Sequence, residues 1–207
     1  MKRDSFFQWM LVTLVFRMKS KIYFVTGNKH KFAEVKPIIE SHLPLYELLQ
    51  SNEPLQEIQA DSLEDVAQFK VNSVKDKIPG EYFIEDAGFF VDDLIHGFPG
   101  VYSSYVMKTI GWQGILRILG QSVERKAHFE SVIAFFDHER HIHFFKGTNE
   151  GHVAMEAKGT SGFGFDPIFL SNDSPSKTFA ELSLDQKNQI SHRSRAMQKF
   201  LSFLKTR

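Results

Sequence analysis

The sequence predicts a mixed α/β fold. Three observations carry the prediction. Apolar, strand-like runs alternate with helix-period patterns through the first half of the chain, and a hairpin pattern follows them. The composition, 42% apolar and 24% charged over 207 residues, is that of a globular chain large enough to bury its own core. In such folds the cleft forms where loops leave strand ends, because backbone groups and side chains converge there.

The elements follow in order. Ile22 to Val25 is a short apolar run closed by Gly27-Asn28, a buried strand ending in a turn. Asn28 then caps a helix from Lys29 to Glu40, with Phe32, Val35, Ile38 and Ile39 at helical spacing and Pro37 as a potential kink. A second strand is expected near Leu45 to Leu49. Asp61 or Ser62 caps a helix from Leu63 to about Asp76. Tyr82 to Ile84 reads as a strand with Glu85 and Asp86 at its end, and Phe89 to Val91 continues the extended chain. Ser103 to Leu119 suits one helix weakened by Gly111 and Gly114. Phe129 to Asp137 and His141 to Phe145 form the hairpin, turning near His138 to Arg140, and His152 to Glu156 is expected as a further strand. A last amphipathic helix runs from Ser191 or His192 to about Leu204.

Charge and cysteine content narrow the function. Lysine plus arginine number 25, as do aspartate plus glutamate, so no global field favours nucleic acid or an anionic membrane. The chain has no cysteine, which removes disulfides, thiolate nucleophiles and cysteine zinc sites and makes the cytoplasm the default compartment. Residues 1–17 stand apart. Lys2 and Arg3 precede an apolar run from Phe6 to Phe16 that is too short to span a bilayer and lacks a small-residue cleavage site, so a membrane anchor is not expected. Met18 reads as a natural start, so the extension is expected to be a start-site artefact or a loosely attached helix, with 18–207 as the functional domain.

Four segments carry chemistry. Thr26, Gly27, Asn28, Lys29, His30 and Lys31 lie between a strand and a helix, where free N–H groups and the positive helix end bind anions; a capped helix with solvated lysines is the alternative. Glu85-Asp86-Ala87-Gly88 offers paired carboxylates for a metal and for water activation, although Glu85 alone reads equally as a solvated edge residue. Glu57, in a polar loop, taken alone is a surface acid. The run Gly159 to Pro167 sets Phe163 and Phe165 among glycines beside Asp166; these rings either stack on a nucleobase or plug the core. Lys187, His192 and Arg193 sit near a helix start as candidate phosphate or base contacts, or as a solvated basic face. His138, His141 and His143 read as a solvated hairpin, since no carboxylate partner is evident.

Taken in order, TGNKHKFAEV, LQEIQADSLEDVAQFK, FIEDAGFFVDDLIHGFPGVYSSYV, GTSGFGFDPIF and FAELSLDQKNQISHRSRA resemble the inosine triphosphatase family, deaminated-purine NTP pyrophosphatases, in an archaeal style. The resemblance spans about Ile22 to Leu204. It implies a long curved mixed sheet with helices in two lobes around a central groove, a homodimer, and hydrolysis of ITP, dITP and XTP to monophosphate and pyrophosphate. It makes Asp86 the group that activates water and, with Glu57, a Mg2+ ligand. It gives Thr26 to Lys31 and Lys70 to the phosphates, and Ala87 a place beside the substrate. Phe163, Gly164, Phe165 and Asp166 take the base, and Lys187, His192 and Arg193 complete the pocket. Three positions depart from the family pattern: Ala87 stands where serine or threonine is usual, Phe165 where tyrosine or tryptophan is common, and Ser194 where glycine follows SHR. The competing functions are a pyrophosphatase for modified pyrimidine NTPs and a non-catalytic nucleotide- or RNA-binding module.

Overall fold

The computed structural model describes residues 19–93 and 95–207; the N-terminal segment 1–17 set apart above lies outside them. Seven strands form one mixed sheet: β1 (Ser20–Val25), β2 (Tyr46–Ser51), β3 (Tyr82–Val91), β4 (Pro99–Gly100), β5 (Lys126–Phe136), β6 (Ile142–Val153) and β7 (Phe169–Ser171). The order is β2-β1-β3-β5-β6-β7, with β4 on β3. β2, β1 and β3 run parallel, whereas β5, β6, β7 and β4 pair antiparallel. Among the described residues six α-helices flank the sheet: α1 (Lys29–His42), α2 (Leu63–Val74), α3 (Ser103–Thr109), α4 (Gly111–Leu119), α5 (Leu184–Ile190) and α6 (His192–Lys205). None of the described helices is long and apolar enough to cross a membrane.

Alternation of side chains along each strand distributes the core between two faces. On one face Phe24, Phe83 and Phe135 pack against Val35 and Ile39 of α1 and Met197 and Phe200 of α6. On the other, Tyr82, Ile84 and Val132 meet Leu63, Ala67 and Val71 of α2. A third cluster, built on Phe89, Phe129 and Phe169, gathers beneath α3, α4 and the loop around Phe165. The high phenylalanine count is spent here, in three cores rather than one.

Three expectations are corrected. Glu85 and Asp86 do not end a strand: β3 continues through them to Val91, because β5 pairs with every residue from Tyr82 to Val91. The single helix expected over 103–119 is two, broken where Gly111, at the start of the second, takes a left-handed φ of 64° that a helix interior does not carry. His152 and Val153 start no new strand but finish β6, which is 12 residues long.

The sheet positions the cleft through an interruption. β5 takes one edge of β3 along its whole length. The opposite edge pairs with β1 only at Tyr82 and Phe83, and with β4 only at Phe89 and Phe90. Ile84 to Gly88 therefore has no strand on that side, a gap of about 20 Å between the flanking pairs at 3.3 Å per residue.

Candidate active site

A cleft of about 690 Å³ opens at this gap, within the range of small-molecule sites. Of the residues nominated from the sequence, all except Lys29 and His30 line it. Lys29 is exposed to solvent. His30 reaches the site indirectly, its ring stacked on Phe163 with centroids 5.3 Å apart.

The first wall is the β1–α1 turn. Asn28 adopts an extended conformation, and its side-chain oxygen accepts the N–H groups of His30 and Lys31, while Thr26 Oγ1 accepts from Asn28 N. This locks the helix start with its positive end toward the cleft. Lys31 extends inward, donating to the Glu85 backbone carbonyl at 3.0 Å and pairing with the Glu85 carboxylate at 2.7 Å.

The second wall brings together two acids that are 29 positions apart in sequence. Lys70 Nζ lies 2.9 Å from Glu57 Oε2 and 2.5 Å from Asp86 Oδ2. Both carboxylates thus converge on one position that already accommodates a positive charge. Burial works against the Lys70 charge, but Asp86 and Glu57 hold its pKa above the ordinary value. Burial also pushes Asp86 upward and Glu57 adds to that push, while Lys31 and Lys70 oppose it. Lys70 thus pairs with both acids at once.

The third wall is a buried network that the sequence did not announce. Arg193 pairs with Glu34 and, at 3.1 Å, with Glu85; Lys187 holds Glu34 at 2.8 Å and Asp166 at 2.7 Å. All five side chains are nearly inaccessible. Glu85 is no solvated edge residue: it is enclosed by Arg193, Lys31 and Ser131 Oγ, the last donating at 2.6 Å. Burial would raise the pKa of Glu34 and of Glu85, but their cationic neighbours win and hold both below the ordinary range. Asp166 accepts from Phe163 N at 2.8 Å as well as from Lys187, so it shapes the loop that carries Phe163. His192 is buried with its ring flat on Phe129, and its Nδ1 has no hydrogen-bond partner among the described residues. Burial, then the adjacent Arg193, drives its pKa well below the ordinary 6.5, leaving a neutral imidazole.

The two phenylalanines separate in role. Phe165 is 3% exposed and stacks on Phe89, so its ring belongs to the core and does not offer a free stacking face. Phe163 stays partly exposed, with Lys187 and Arg193 over its ring at 5.0 and 5.5 Å. Ser194, one of the departures from the family pattern, settles in the first turn of α6, its hydroxyl donating to Ser191 O at 2.9 Å. The histidine hairpin does have a carboxylate: buried Asp137 accepts from His143 Nε2 at 2.8 Å and from His141 N, an anchor invisible from the turn sequence alone.

The Ham1 family pattern matches residues 22–203. The chain belongs to the Ham1 family. A relative named dITP/XTP pyrophosphatase from Thermococcus kodakarensis is 47% identical over 186 residues, covering 89% of this chain and 97% of that protein. One of the same name from Pyrococcus horikoshii is 43% identical, covering 89% and 97%. Among solved structures, the HAM1 protein of Coxiella burnetii superposes with a TM-score of 0.77 at 27% identity, covering 91% of this chain and all of that one. The Staphylococcus aureus Ham1 protein gives 0.76 at 28%, covering 90% and 99%. The interrupted mixed sheet is thus the Ham1 fold.

Proposed function

We propose that this Ham1 protein hydrolyses deaminated purine nucleoside triphosphates (ITP, dITP and XTP) to the monophosphate and pyrophosphate, with Mg2+ as its metal. The convergence of Glu57 and Asp86 on one cation position, in a cleft that Phe163 also lines, carries the reading. The dITP/XTP pyrophosphatase relatives, matched over nearly their whole length, support the substrate class.

The charges of the cleft support a metal. Five cations line it, Lys31, Lys70, Lys108, Lys187 and Arg193, against five carboxylates, Glu53, Glu57, Glu85, Asp86 and Asp166. Such a balance has no surplus with which to attract a triphosphate, and a divalent ion supplies one. Two oxygen donors beside substrate phosphates fit Mg2+, which takes few protein ligands and keeps water and phosphate oxygens for the rest. When bound, Mg2+ supplies charge neutralisation at the phosphates and at the leaving pyrophosphate.

The chain's own groups do the remaining work. Asp86 orients a water and takes its proton as the water attacks the α-phosphorus. The turn from Thr26 to Lys31 holds the phosphate chain through N–H groups, the helix end and Lys31, with Lys29 and Lys70 adding charge nearby. Phe163 stacks on the base, with Gly164, Phe165, Asp166 and Ala87 shaping the wall around it. Neutral His192, together with Lys187 and Arg193, meets the base edge. A site paired to the 6-oxo group leaves buried polar atoms unmatched when adenine presents an amino group instead, and that mismatch discriminates strongly.

The same reading includes a homodimer and a cytoplasmic location. Exposed Phe98, Tyr102 and Tyr105 offer apolar surface for a second copy, and the absence of cysteine suits a reducing compartment. Light scattering tests the first and cell fractionation the second.

The test of the activity is pyrophosphate release measured side by side with ITP, XTP, dITP, GTP and ATP. Turnover of ITP, XTP and dITP should far exceed that of ATP, whose 6-amino group mismatches the site, should cease with EDTA and should return with Mg2+. Asp86→Asn should fold normally and lose about 10²–10⁴-fold in turnover, the usual worth of a general base. Near-wild-type turnover by that variant removes Asp86 from the role.

A further inference from the structure

A second set of metal-binding side chains lies outside the cleft, on the surface of the central strands. β3, β5 and β6 are adjacent, and their register sets Phe90 opposite His128 and His128 opposite Glu150. Residues in register share a face, so these three side chains stand in a row across the sheet. Asp92 follows the last residue of β3 and stays aligned with β5, its N–H donating to Lys126 O at 2.8 Å. One donor atom from each of Asp92, His128 and Glu150 lies within 4.8 Å of the other two. His128 Nδ1 sits 2.9 Å from Asp92 Oδ1. The imidazole lies flat on Phe90, centroids 4.7 Å apart and planes 3° apart, which fixes its orientation. Among the described residues, Glu150 forms no ion pair.

We propose that Asp92, His128 and Glu150 form a site for a divalent transition-metal ion of the zinc class, separate from the catalytic metal. The donor set argues for the class: one imidazole nitrogen with two carboxylates suits Zn2+ and its neighbours, whereas Mg2+ favours oxygen alone. Electrostatics argue for the occupant: Asp92 pairs with His128 while Glu150 has no ion-pair partner among the described residues, and a cation at their centre satisfies both carboxylates. The site is partly open to solvent, so an ion can enter without unfolding the sheet. Phe90 and Asp86 are four residues apart on the same face of β3, about 13 Å, too far to share one ion. Because it ties three neighbouring strands together, a bound ion stabilises the fold by mass action.

The experiment is a calorimetric titration of Zn2+ into the full chain saturated with Mg2+, paired with thermal melts. Wild type and Asp86→Asn should each take up one equivalent at this site and melt higher with zinc. His128→Gln and Glu150→Gln should each weaken that event at least tenfold and abolish the rise in melting temperature. His141→Gln, in the separate exposed group of Asp137, Glu139 and His141, should behave as wild type. Glu150 is exposed, so its variant reports even if His128→Gln folds poorly. No zinc uptake by the wild type, or unchanged affinity in Glu150→Gln, overturns the proposal. Loss of zinc uptake in Asp86→Asn also overturns it, by placing the ion in the cleft. Because pyrophosphate release is not the readout, failure here and failure of the proposed activity are distinguishable.

Discussion

At the scale of single residues, Glu34 organises the site without facing solvent. It lies in α1, the helix whose first turn is the proposed anion cradle, and it holds both Lys187 and Arg193 from the far end of the chain. Nothing in its helical context marked it, because its pairing partner Lys187 is 153 positions away and no local spacing encodes such a contact. Lys187 and Arg193, by contrast, were legible as cations near a helix start, and Asp86 as one of two paired carboxylates. Replacing Glu34 by Gln leaves two buried cations short of a charge. Breaking a buried pair in this way costs about 3–5 kcal/mol, so Glu34→Gln should lower stability by that order in urea unfolding. It should also raise KM for ITP more than it lowers kcat, since on the proposed reading the displaced groups face the base.

At the scale of elements, apolar periodicity made β1, α1, α2 and α6 readable to within a residue or two, and the caps Asn28, Ser62 and Ser191 are all in place. The unbroken passage of β3 through Glu85 and Asp86 was not readable. Two successive acids look like a solvent-exposed terminus, and only the placement of Arg193, Lys31 and Lys70 around them makes them tolerable inside a sheet. The docking of α6 on β6 was equally hidden. A Cβ at Gly147 would collide with the backbone of His192 and Ala196, so this glycine sets how closely the helix bearing the site approaches the sheet. Gly147→Ala should therefore destabilise by about 1–3 kcal/mol, as overpacking does, and circular-dichroism melts would register the loss. It should reduce turnover too, because His192 and Arg193 move with the helix.

For the molecule as a whole, neutral formal charge conceals a concentrated buried ion network, and the network sets the response to acid. Glu34 and Glu85 ionise below their ordinary 4.5 in the folded state. A carboxylate whose folded pKa is depressed contributes stability that is complete above its unfolded pKa and is lost as pH falls through the folded one. The fold should hold its stability near neutrality and lose it progressively below about pH 4.5, with Glu34→Gln showing a shallower decline; denaturant midpoints between pH 7 and 3 check this. The fold class was legible because alternation of strands and helices is a property of local pattern. The groove's location was not, since it depends on where β1 stops and β4 starts along a shared neighbour.

That interruption has a consequence beyond catalysis. Unpaired strand edges invite other chains to add on and seed aggregates. Here the bare stretch is only five residues, bracketed at both ends by paired strands and plugged by the Lys31 ammonium. A foreign strand of ordinary length finds no room to dock, while a compact anionic guest fits. Filling the slot with bulky apolar side chains would leave the bracket intact, but removing β4 should turn a guarded niche into a sticky border.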